Sequence, residues 1–402
     1  MINKKQSSEL KLFLGQIYTY SFFNELIFIY AFYAVMFSDY GLSAIQISVL
    51  LAVWSAVTFI LEIPSGALAD KYSRKNILLF AQAAKICGYI CWMLLPTFWG
   101  FLVGFICWGI RSAFSSGSFE AFVFDELSHY KEQDDYARII GRIKSLSTTA
   151  VLVSGLSAAL MIHFGYRIVI LAGLFPLAIS FAAILFTHPA ERAESTAEVH
   201  YLALLKEGVR ETYRNHTAKR LIAFLAFAVV FFPTLEEYWS LFYKSAGMQK
   251  EEIAILTSVV SAAMVIAGLV AHKVKWLSER ASFFVYCSCG FILLVAAYYM
   301  CPISVISIPA ICFLWIVIEV NIECRLQYAI ESDARATVLS VQGFLSEVMA
   351  VVIYLGFGAV ATGYGYRTGF MVSAIVIIVL GVFSIFCIKI DSTCSNKPGG
   401  PA

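Results

Sequence analysis

The chain alternates between long apolar stretches and short polar connections over its whole length. A stretch of about 20 apolar residues is long enough for a helix to cross a lipid bilayer. Twelve stretches of this kind predict membrane-spanning helices at 12–37, 43–69, 76–95, 98–127, 138–163, 167–187, 219–243, 250–272, 281–300, 303–327, 336–361 and 366–388. The longest polar connection follows the sixth. It divides the chain into an N-terminal half (1–187), a central cytoplasmic loop (188–218) and a C-terminal half (219–402).

Short motifs recur at one spacing along the chain. Gly165-Tyr166-Arg167 returns as Gly365-Tyr366-Arg367, each time just before an even-numbered predicted helix. Two weaker echoes occur at nearly the same offset, and they relate residues 66–71 to 268–273 and residues 120–127 to 319–326. Three such matches in the same order indicate two six-helix halves that are arranged as parallel repeats.

The composition identifies the class of protein. Hydrophobic residues make up 60% of the 402 residues and charged residues 14%, whereas soluble domains contain about 45–50% and 25%. The chain is therefore predicted to be a multi-pass membrane protein with the lipid bilayer as its surroundings. Its net charge of +2 is too small to indicate nucleic acid as a partner. The ten cysteines are scattered, without metal-ligand spacing beside His or acidic residues, and no Walker loop is present. We expect no cofactor, no metal site and no enzyme activity.

The distribution of basic residues predicts the orientation. With the N-terminus inside, 23 of the 29 Lys and Arg residues lie in cytoplasmic segments and four in outer loops. The remaining two, Lys85 and Arg111, lie within predicted helices. Because cytoplasmic loops of membrane proteins are enriched in Lys and Arg, this bias predicts that both termini are cytoplasmic.

A short charged segment joins the second and third predicted helices. It runs Gly-Ala-Leu-Ala-Asp-Lys-Tyr-Ser-Arg-Lys from Gly66 to Lys75. Asp70 lies near the end of one helix and the start of the next, with Lys71 and Arg74 close in sequence. A carboxylate there meets the positive end of a helix and nearby cationic groups, so the segment predicts a charge latch between two helices.

This segment resembles the loop between helices two and three of the major facilitator superfamily. The family pattern is Gly, three residues, Asp, a basic residue, any residue, Gly and two basic residues. Five positions match here, and Ser73 replaces the second glycine. The resemblance covers essentially the whole chain. It implies an all-α membrane protein with twelve transmembrane helices in two six-helix pseudo-repeats, the major facilitator fold, in a bacterial inner membrane.

The resemblance also implies a function. Members of this family are secondary transporters, so we expect a monomer that moves a small organic molecule by proton-coupled alternating access. A carboxylate-bearing metabolite, a siderophore or an amphipathic drug would suit the predicted charges. Residues 116–127 resemble the end of helix four in bacterial efflux members, which favours export, although the fifth helix lacks the Gly-Pro-rich signature of drug antiporters. The alternatives are proton-coupled uptake of a nutrient or siderophore and, from another class, a membrane sensor that transports nothing.

Three ionisable residues near the middle of predicted helices of the N-terminal half are candidates for substrate contact or proton coupling, because charge inside the bilayer is costly and indicates function. Glu25, beside Asn24, lies near the middle of helix one among aromatic residues, and burial suits it to reversible proton binding. Arg111 in helix four cannot release its proton, so it requires a partner, either Glu25 or a carboxylate or phosphate of the substrate. The structural alternative for both is a permanent ion pair. Lys85 in helix three either contacts substrate or a neighbouring residue, or extends towards the cytoplasm.

Further candidates lie in the C-terminal half and at the predicted gates. Glu319 and Glu347, near mid-depth in helices ten and eleven, are second candidates for substrate contact or proton coupling, with polar packing as the alternative. Glu236 and Glu237 are candidates for an outer gate. By resemblance to the family, Glu120 and Asp125 at the cytoplasmic end of helix four pair with the basic loop. Arg138 and Arg142, which follow shortly, are further candidate partners, and solvated loop charge is the alternative. The predicted cytoplasmic gate consists of Glu62, Gly66, Asp70, Lys71, Arg74, Lys75, Glu120, Asp125 and Arg138.

Overall fold

The computed structural model describes residues 4–188, 216–274, 277–330 and 335–395, and these residues form helices joined by short connections. Eleven segments of this part of the chain are long and apolar enough to cross a membrane, and the last, Val341–Phe386, covers the eleventh and twelfth predicted helices. Most of the central loop (189–215) lies outside the described residues. By its contacts the chain divides into unit 1, residues 1–199 and 249–261, and unit 2, residues 200–248 and 262–402.

The α-helices of the N-terminal half are numbered in chain order. They are α1 (Lys4–Glu25), α2 (Tyr33–Asp39), α3 (Ala44–Lys71), α4 (Arg74–Leu94), α5 (Phe98–Ser115), α6 (Ser118–His129), α7 (Tyr136–Met161) and α8 (Tyr166–Leu185). Short 3₁₀ turns at Phe28–Ala31, Gln133–Asp135 and Ile162–Phe164 connect some of them.

The α-helices of the C-terminal half continue this numbering. They are α9 (His216–Phe224), α10 (Phe231–Glu236), α11 (Trp239–Ser245), α12 (Lys250–Ala271), α13 (Glu279–Tyr299), α14 (Ser307–Ala329) and α15 (Arg335–Ser395). A π-helical segment, Leu225–Val229, separates α9 from α10, and 3₁₀ turns lie at His272–Val274 and Pro302–Ile306.

Several predicted helices are interrupted in the structure. The first is broken after Glu25, the fourth at Gly117 (φ 68°) and the seventh at the π segment and again after Glu236. The connection between the second and third is far shorter than the predicted ten-residue loop, because α3 continues to Lys71 and α4 begins at Arg74. Apolar residues continue across the break at residues 26–27 and through the π segment, whereas the break after Glu236 falls at two adjacent acidic residues. Hydropathy therefore predicts the crossing and not its continuity.

The recurring motifs adopt matching conformations. Gly165 has φ 87° and ψ 163°, and Gly365, which interrupts α15, has φ 85° and ψ 161°. These dihedrals are accessible mainly to glycine. A second pair of turns repeats at Gly41 (φ 88°) and Gly247 (φ 91°), where each amide donates to the carbonyl three residues earlier at 3.1 Å. The local backbone therefore supports the two pseudo-repeats.

An aromatic cluster forms the core of unit 1. The ring of Phe37 lies 5.1 Å from that of Trp92 and 4.2 Å from that of Phe101, and Phe105 packs on Trp92 at 5.2 Å. Gly104 makes this packing possible, because a Cβ there would collide with the Trp92 indole. The cluster packs α2, α4 and α5 against one another, and these helices border the break in α1.

Candidate functional site

The break in α1 is the centre of the candidate site. α1 ends at Glu25, and Ile27 has non-helical dihedrals (φ −106°, ψ 88°) before a 3₁₀ turn begins at Phe28. A helix end leaves carbonyl groups without intrahelical partners. Here the Glu25 carbonyl accepts from the Ile27 amide at 2.9 Å, and the Ser147 hydroxyl on α7 donates to the Ser21 carbonyl at 3.4 Å. The break thus exposes polar backbone inside a membrane-spanning segment.

Lys85 from α4 binds the broken end of α1. Its ammonium group donates to the main-chain carbonyl of Asn24 at 2.5 Å and to the Asn24 Oδ1 at 3.0 Å. The residue is only 2% exposed. The sequence left open whether Lys85 contacts a neighbour, contacts substrate or extends towards the cytoplasm; in the structure it contacts a neighbour.

Glu25 and Arg111 form an ion pair beside this contact. Glu25 Oε1 lies 3.2 Å from Arg111 Nη2 and accepts from Asn24 Nδ2 at 2.7 Å. A continuous chain of contacts therefore runs from Lys85 through Asn24 and Glu25 to Arg111. Both members of the ion pair are partly exposed, with side-chain exposures of 24% for Arg111 and 31% for Glu25.

The exposed side of the pair borders a polar cavity of about 410 Å³ within unit 1. Lys144 and Glu120 add one charge of each sign to its wall, and hydroxyl groups and aromatic rings complete it. The lining residues are Tyr20, Ser21, Asn24, Glu25, Arg111, Ser115, Phe119, Glu120, Ile140, Ile143, Lys144, Ser147 and Thr148. Such a cavity can hold a small molecule that has polar and aromatic parts.

Arg111 retains hydrogen-bonding capacity in this wall. Its buried Nε has no hydrogen-bond partner among the described residues, and a buried donor left without an acceptor costs about 1–3 kcal/mol. The Tyr20 ring, which packs 5.1 Å from Phe119, lies close enough to interact electrostatically with Arg111 and Glu25. Because the Arg111 side chain is partly exposed to the cavity, its guanidinium group can donate to a further anionic oxygen there.

The predicted cytoplasmic gate residues form a separate cluster. Arg74, at the start of α4, donates to Asp125 Oδ2 at 2.5 Å and to the Ala121 carbonyl at 2.7 Å. Lys75 donates to the Thr187 carbonyl at 2.7 Å. The basic segment after α3 is thus joined to α6 through Arg74.

The other predicted gate residues are distributed more loosely. Arg138, in the first turn of α7, lies 4.0 Å from Asp135, which is three residues earlier in the chain, and both side chains are exposed. Glu62 and Gly66 are exposed on α3. Asp70 and Lys71 lie in the last turn of α3, and their side chains are outside the described part of the structure. The predicted latch around Asp70 stays a prediction.

The candidate acids of the C-terminal half lie in unit 2. Glu236 ends α10, where the seventh membrane-spanning segment breaks, and its acidic neighbours are Glu237 and Glu319. Glu319 in turn lies near Glu323 on the next turn of α14. Glu347 is half-buried on α15. Glu319 and the residues predicted as an outer gate therefore belong to the same unit.

A further charged cluster in unit 1 was not predicted from the sequence. Lys250, the first residue of α12, lies 2.7 Å from Asp39 Oδ2 and 4.5 Å from the centre of the Tyr166 ring. The Tyr166 hydroxyl donates to the same Asp39 oxygen at 2.6 Å, and His163 Nδ1 lies 3.2 Å from Glu251 Oε1. The sequence singled out Tyr166 only as part of a repeated motif, and Lys250 only as one of the four basic residues in the predicted outer loops.

Comparison with known proteins gives consistent results. A family profile described as Major Facilitator Superfamily matches residues 14–352. An uncharacterized MFS-type transporter of Bacillus subtilis, YxaM, is 18% identical over 349 residues, which cover 83% of this chain and 85% of that protein. An MFS-type transporter of Aspergillus fumigatus is 25% identical over 145 residues, which cover 36% of this chain and 32% of that protein. The solved structure of the nucleoside transporter NupG matches with a TM-score of 0.75 and 13% identity, over 95% of this chain and 99% of that one.

Proposed function

The chain belongs to the Major Facilitator Superfamily and is a multi-pass secondary transporter, not an enzyme, and from this premise we propose that it carries a small carboxylate-bearing molecule together with protons. The observation that supports this proposal is the position of Arg111. This residue lines a polar cavity, and its buried Nε has no hydrogen-bond partner among the described residues. The NupG likeness establishes only the fold, and the substrate in its name belongs to that protein.

The charges around the cavity favour an anionic ligand. Arg111 and Lys144 line it together with Glu25 and Glu120, and Lys85 adds a third cationic group directly behind Asn24. A guanidinium group presents several donors in a planar fork that matches a carboxylate. A ligand carboxylate would therefore bind the exposed part of the Arg111 guanidinium group, while Tyr20 and Phe119 contact its apolar part.

Proton coupling follows from competition at Arg111. When a ligand carboxylate engages Arg111, Glu25 loses its closest cationic partner. A carboxyl group in a poorly solvated site without such a partner is favoured in its neutral form. Ligand and proton would then bind together, which is the requirement for symport. We propose that Glu25 carries the coupled proton, with Glu319 and Glu347 as second candidates in unit 2.

The direction of transport follows from the joint binding of ligand and proton. Binding of anion and proton to the same state favours proton-driven uptake. Export is favoured instead by the sequence resemblance of residues 116–127 to efflux members, and it remains the second candidate. We further propose a bacterial inner membrane location with both termini in the cytoplasm. The YxaM match and the bias of basic residues support this location.

The gates are also part of the proposal. The bonds from Arg74 to Asp125 and to the Ala121 carbonyl support a cytoplasmic gate that tightens and loosens during the cycle. Glu236 and Glu237, where the seventh membrane-spanning segment breaks, are proposed for an outer gate. The transporter is proposed to act as a monomer.

Binding to the purified transporter tests the anion site. The probes are N-acetyltryptophan, its uncharged amide, gluconate and tetraphenylphosphonium. We expect at least one carboxylate to bind and Arg111→Ala to weaken it by about tenfold to hundredfold, the loss expected for charged hydrogen bonds. Arg138→Ala, at an exposed arginine 4.0 Å from Asp135, is the matched control and should not change the affinity. Binding of the cation alone, unaffected by Arg111→Ala, would contradict the proposal.

Flux in proteoliposomes tests the coupling. The carboxylate that binds is presented under an imposed pH gradient, and internal pH is recorded with a trapped dye. Wild-type protein should move protons in the same direction as the carboxylate. Glu25→Gln should retain carboxylate binding and lose the response to the gradient. Opposite movement of proton and carboxylate would favour export.

A further inference from the structure

A lysine as deeply buried as Lys85 requires an explanation. Lysine is almost never fully buried unless it is paired, because removal of an ammonium group from water is costly. Its hydrogen-bond partners are both oxygens of one residue, Asn24. Lys85 is also absent from the residues that line the cavity. The side chain is therefore directed at the backbone of α1 and not at a ligand.

The position of the ammonium group suits the break in α1. The C-terminal end of a helix carries partial negative charge on its free carbonyls, and a cation is stabilising there. Asn24 lies in the last turn of α1, directly before the break. The ammonium group of Lys85 thus occupies the place where an unwound helix end would otherwise attract a free cation.

The contact also determines the orientation of the Asn24 amide. Ammonium is a donor only, so the carbonyl oxygen of the amide must face Lys85 and its NH₂ group must face away. That NH₂ group donates to Glu25 Oε1 at 2.7 Å, and the same oxygen lies 3.2 Å from Arg111 Nη2. One buried cation therefore orders three side chains in sequence.

We infer that Lys85 is a positioning residue, which holds the α1 break and the Asn24 amide so that the Glu25 carboxylate is presented to Arg111. The significance of this role for transport rests on the proposed function. The contacts themselves do not depend on which substrate is carried. Loss of Lys85 should free the amide, weaken the hold on the Glu25 carboxylate and increase the protonated fraction of Glu25.

Reaction with dicyclohexylcarbodiimide measures that fraction directly. A protonated carboxyl group adds to the carbodiimide, its proton passing to one nitrogen and its oxygen bonding to the central carbon, and the adduct rearranges to a stable N-acylurea. Modification of Glu25 is quantified by peptide mass spectrometry on the full-length protein in proteoliposomes near neutral pH. No substrate is required for this measurement.

We expect Lys85→Met to increase modification of Glu25 by about tenfold, the lower end of the effect of an adjacent opposite charge on a carboxyl group. Gln82→Met is the matched control. Gln82 lies one turn earlier on α4, is 1% exposed, and donates to Ser180 Oγ at 2.5 Å, away from Asn24. This variant should leave modification of Glu25 unchanged.

A second variant covers the case in which Lys85→Met does not fold. Asn24→Ala removes the amide link and leaves Lys85 its bond to the main-chain carbonyl, so it should also increase modification. Equal labelling in the Lys85→Met and Gln82→Met proteins, or no increase in Asn24→Ala, would overturn the inference. If the expected pattern appears but no carboxylate binds to wild-type protein, the positioning role stands and the proposed substrate class is wrong.

Discussion

The cluster around Asp39 allows a quantitative prediction about unit 1. Asp39 Oδ2 accepts from the Tyr166 hydroxyl at 2.6 Å and lies 2.7 Å from Lys250 Nζ, so two donors from different parts of the chain share one carboxylate oxygen. Lys250 begins α12, and residues 249–261 are assigned to unit 1 by their contacts. The two donors contribute by different physical means, and their removal should have different effects.

The magnitudes can be worked out from the surroundings of each group. Lys250 is 44% exposed in its side chain, and ion pairs with exposed partners contribute about 0.2–1 kcal/mol. The Tyr166 hydroxyl makes a short hydrogen bond to a charged acceptor, and such bonds contribute about 1.5–3 kcal/mol. Tyr166→Phe retains the ring beneath Lys250 and removes only the hydroxyl. We expect a loss of about 1.5 kcal/mol for Tyr166→Phe and about 0.5 kcal/mol for Lys250→Met.

Thermal unfolding in detergent, followed by intrinsic tryptophan fluorescence, measures the difference. Trp92 lies in the core of unit 1 and is 1% exposed, so it reports on unfolding of this unit. A loss of 1 kcal/mol lowers the melting temperature by about 2–4 °C for a unit of 150–250 residues. Tyr166→Phe should therefore lower it by about 3–6 °C and Lys250→Met by about 1–2 °C.

Salt provides the control. At 1 M ionic strength the screening length falls to about 3 Å, so the effect of Lys250→Met should become smaller and that of Tyr166→Phe should persist. The reasoning is refuted if Lys250→Met is the more damaging variant, or if high salt abolishes the effect of Tyr166→Phe. Either result would mean that the exposed ion pair, and not the hydroxyl, dominates at Asp39.

Two further predictions concern other contacts of unit 1. Arg74→Gln should lower the melting temperature by about 3–6 °C, because it removes a charged hydrogen bond to Asp125 that contributes about 1.5 kcal/mol. Arg138→Gln, at an exposed site, should leave it unchanged, and equal shifts would argue against a structural role of the Arg74 bonds. Gly155→Val should destabilise the protein by about 1–3 kcal/mol, because a Cβ there would lie 3.0 Å from the Ala254 carbonyl oxygen on α12 and would overlap Ser258 Oγ; the same melting assay checks this, and wild-type stability would contradict the packing of α12 in unit 1.

The fold class could be predicted from the chain alone. Membrane-spanning segments must form the hydrogen bonds of their backbone groups internally, and they face apolar surroundings. A membrane-spanning helix can therefore be recognised in the sequence as a stretch of about 20 apolar residues. The recurrence of Gly165 and Gly365 in the sequence corresponds to a shared backbone conformation, because positive φ restricts these positions to glycine. The contact partner of each buried charged residue was harder to predict from the sequence. Glu25 was one of several candidates for Arg111, because spacing along one chain does not specify contacts between helices.

The breaks inside helices were decided only by tertiary packing. Residues 26 and 27 are Leu and Ile, which continue the apolar pattern of α1 and contain no local signal for a break. The break is stabilised from outside the helix, by Lys85 on α4 and Ser147 on α7. The Asp39 cluster similarly joins residues more than 120 positions apart. Apolar length therefore determines that a helix crosses the membrane, whereas side chains from distant helices help to determine where its backbone can open, because they supply hydrogen-bond partners that the helix itself has lost.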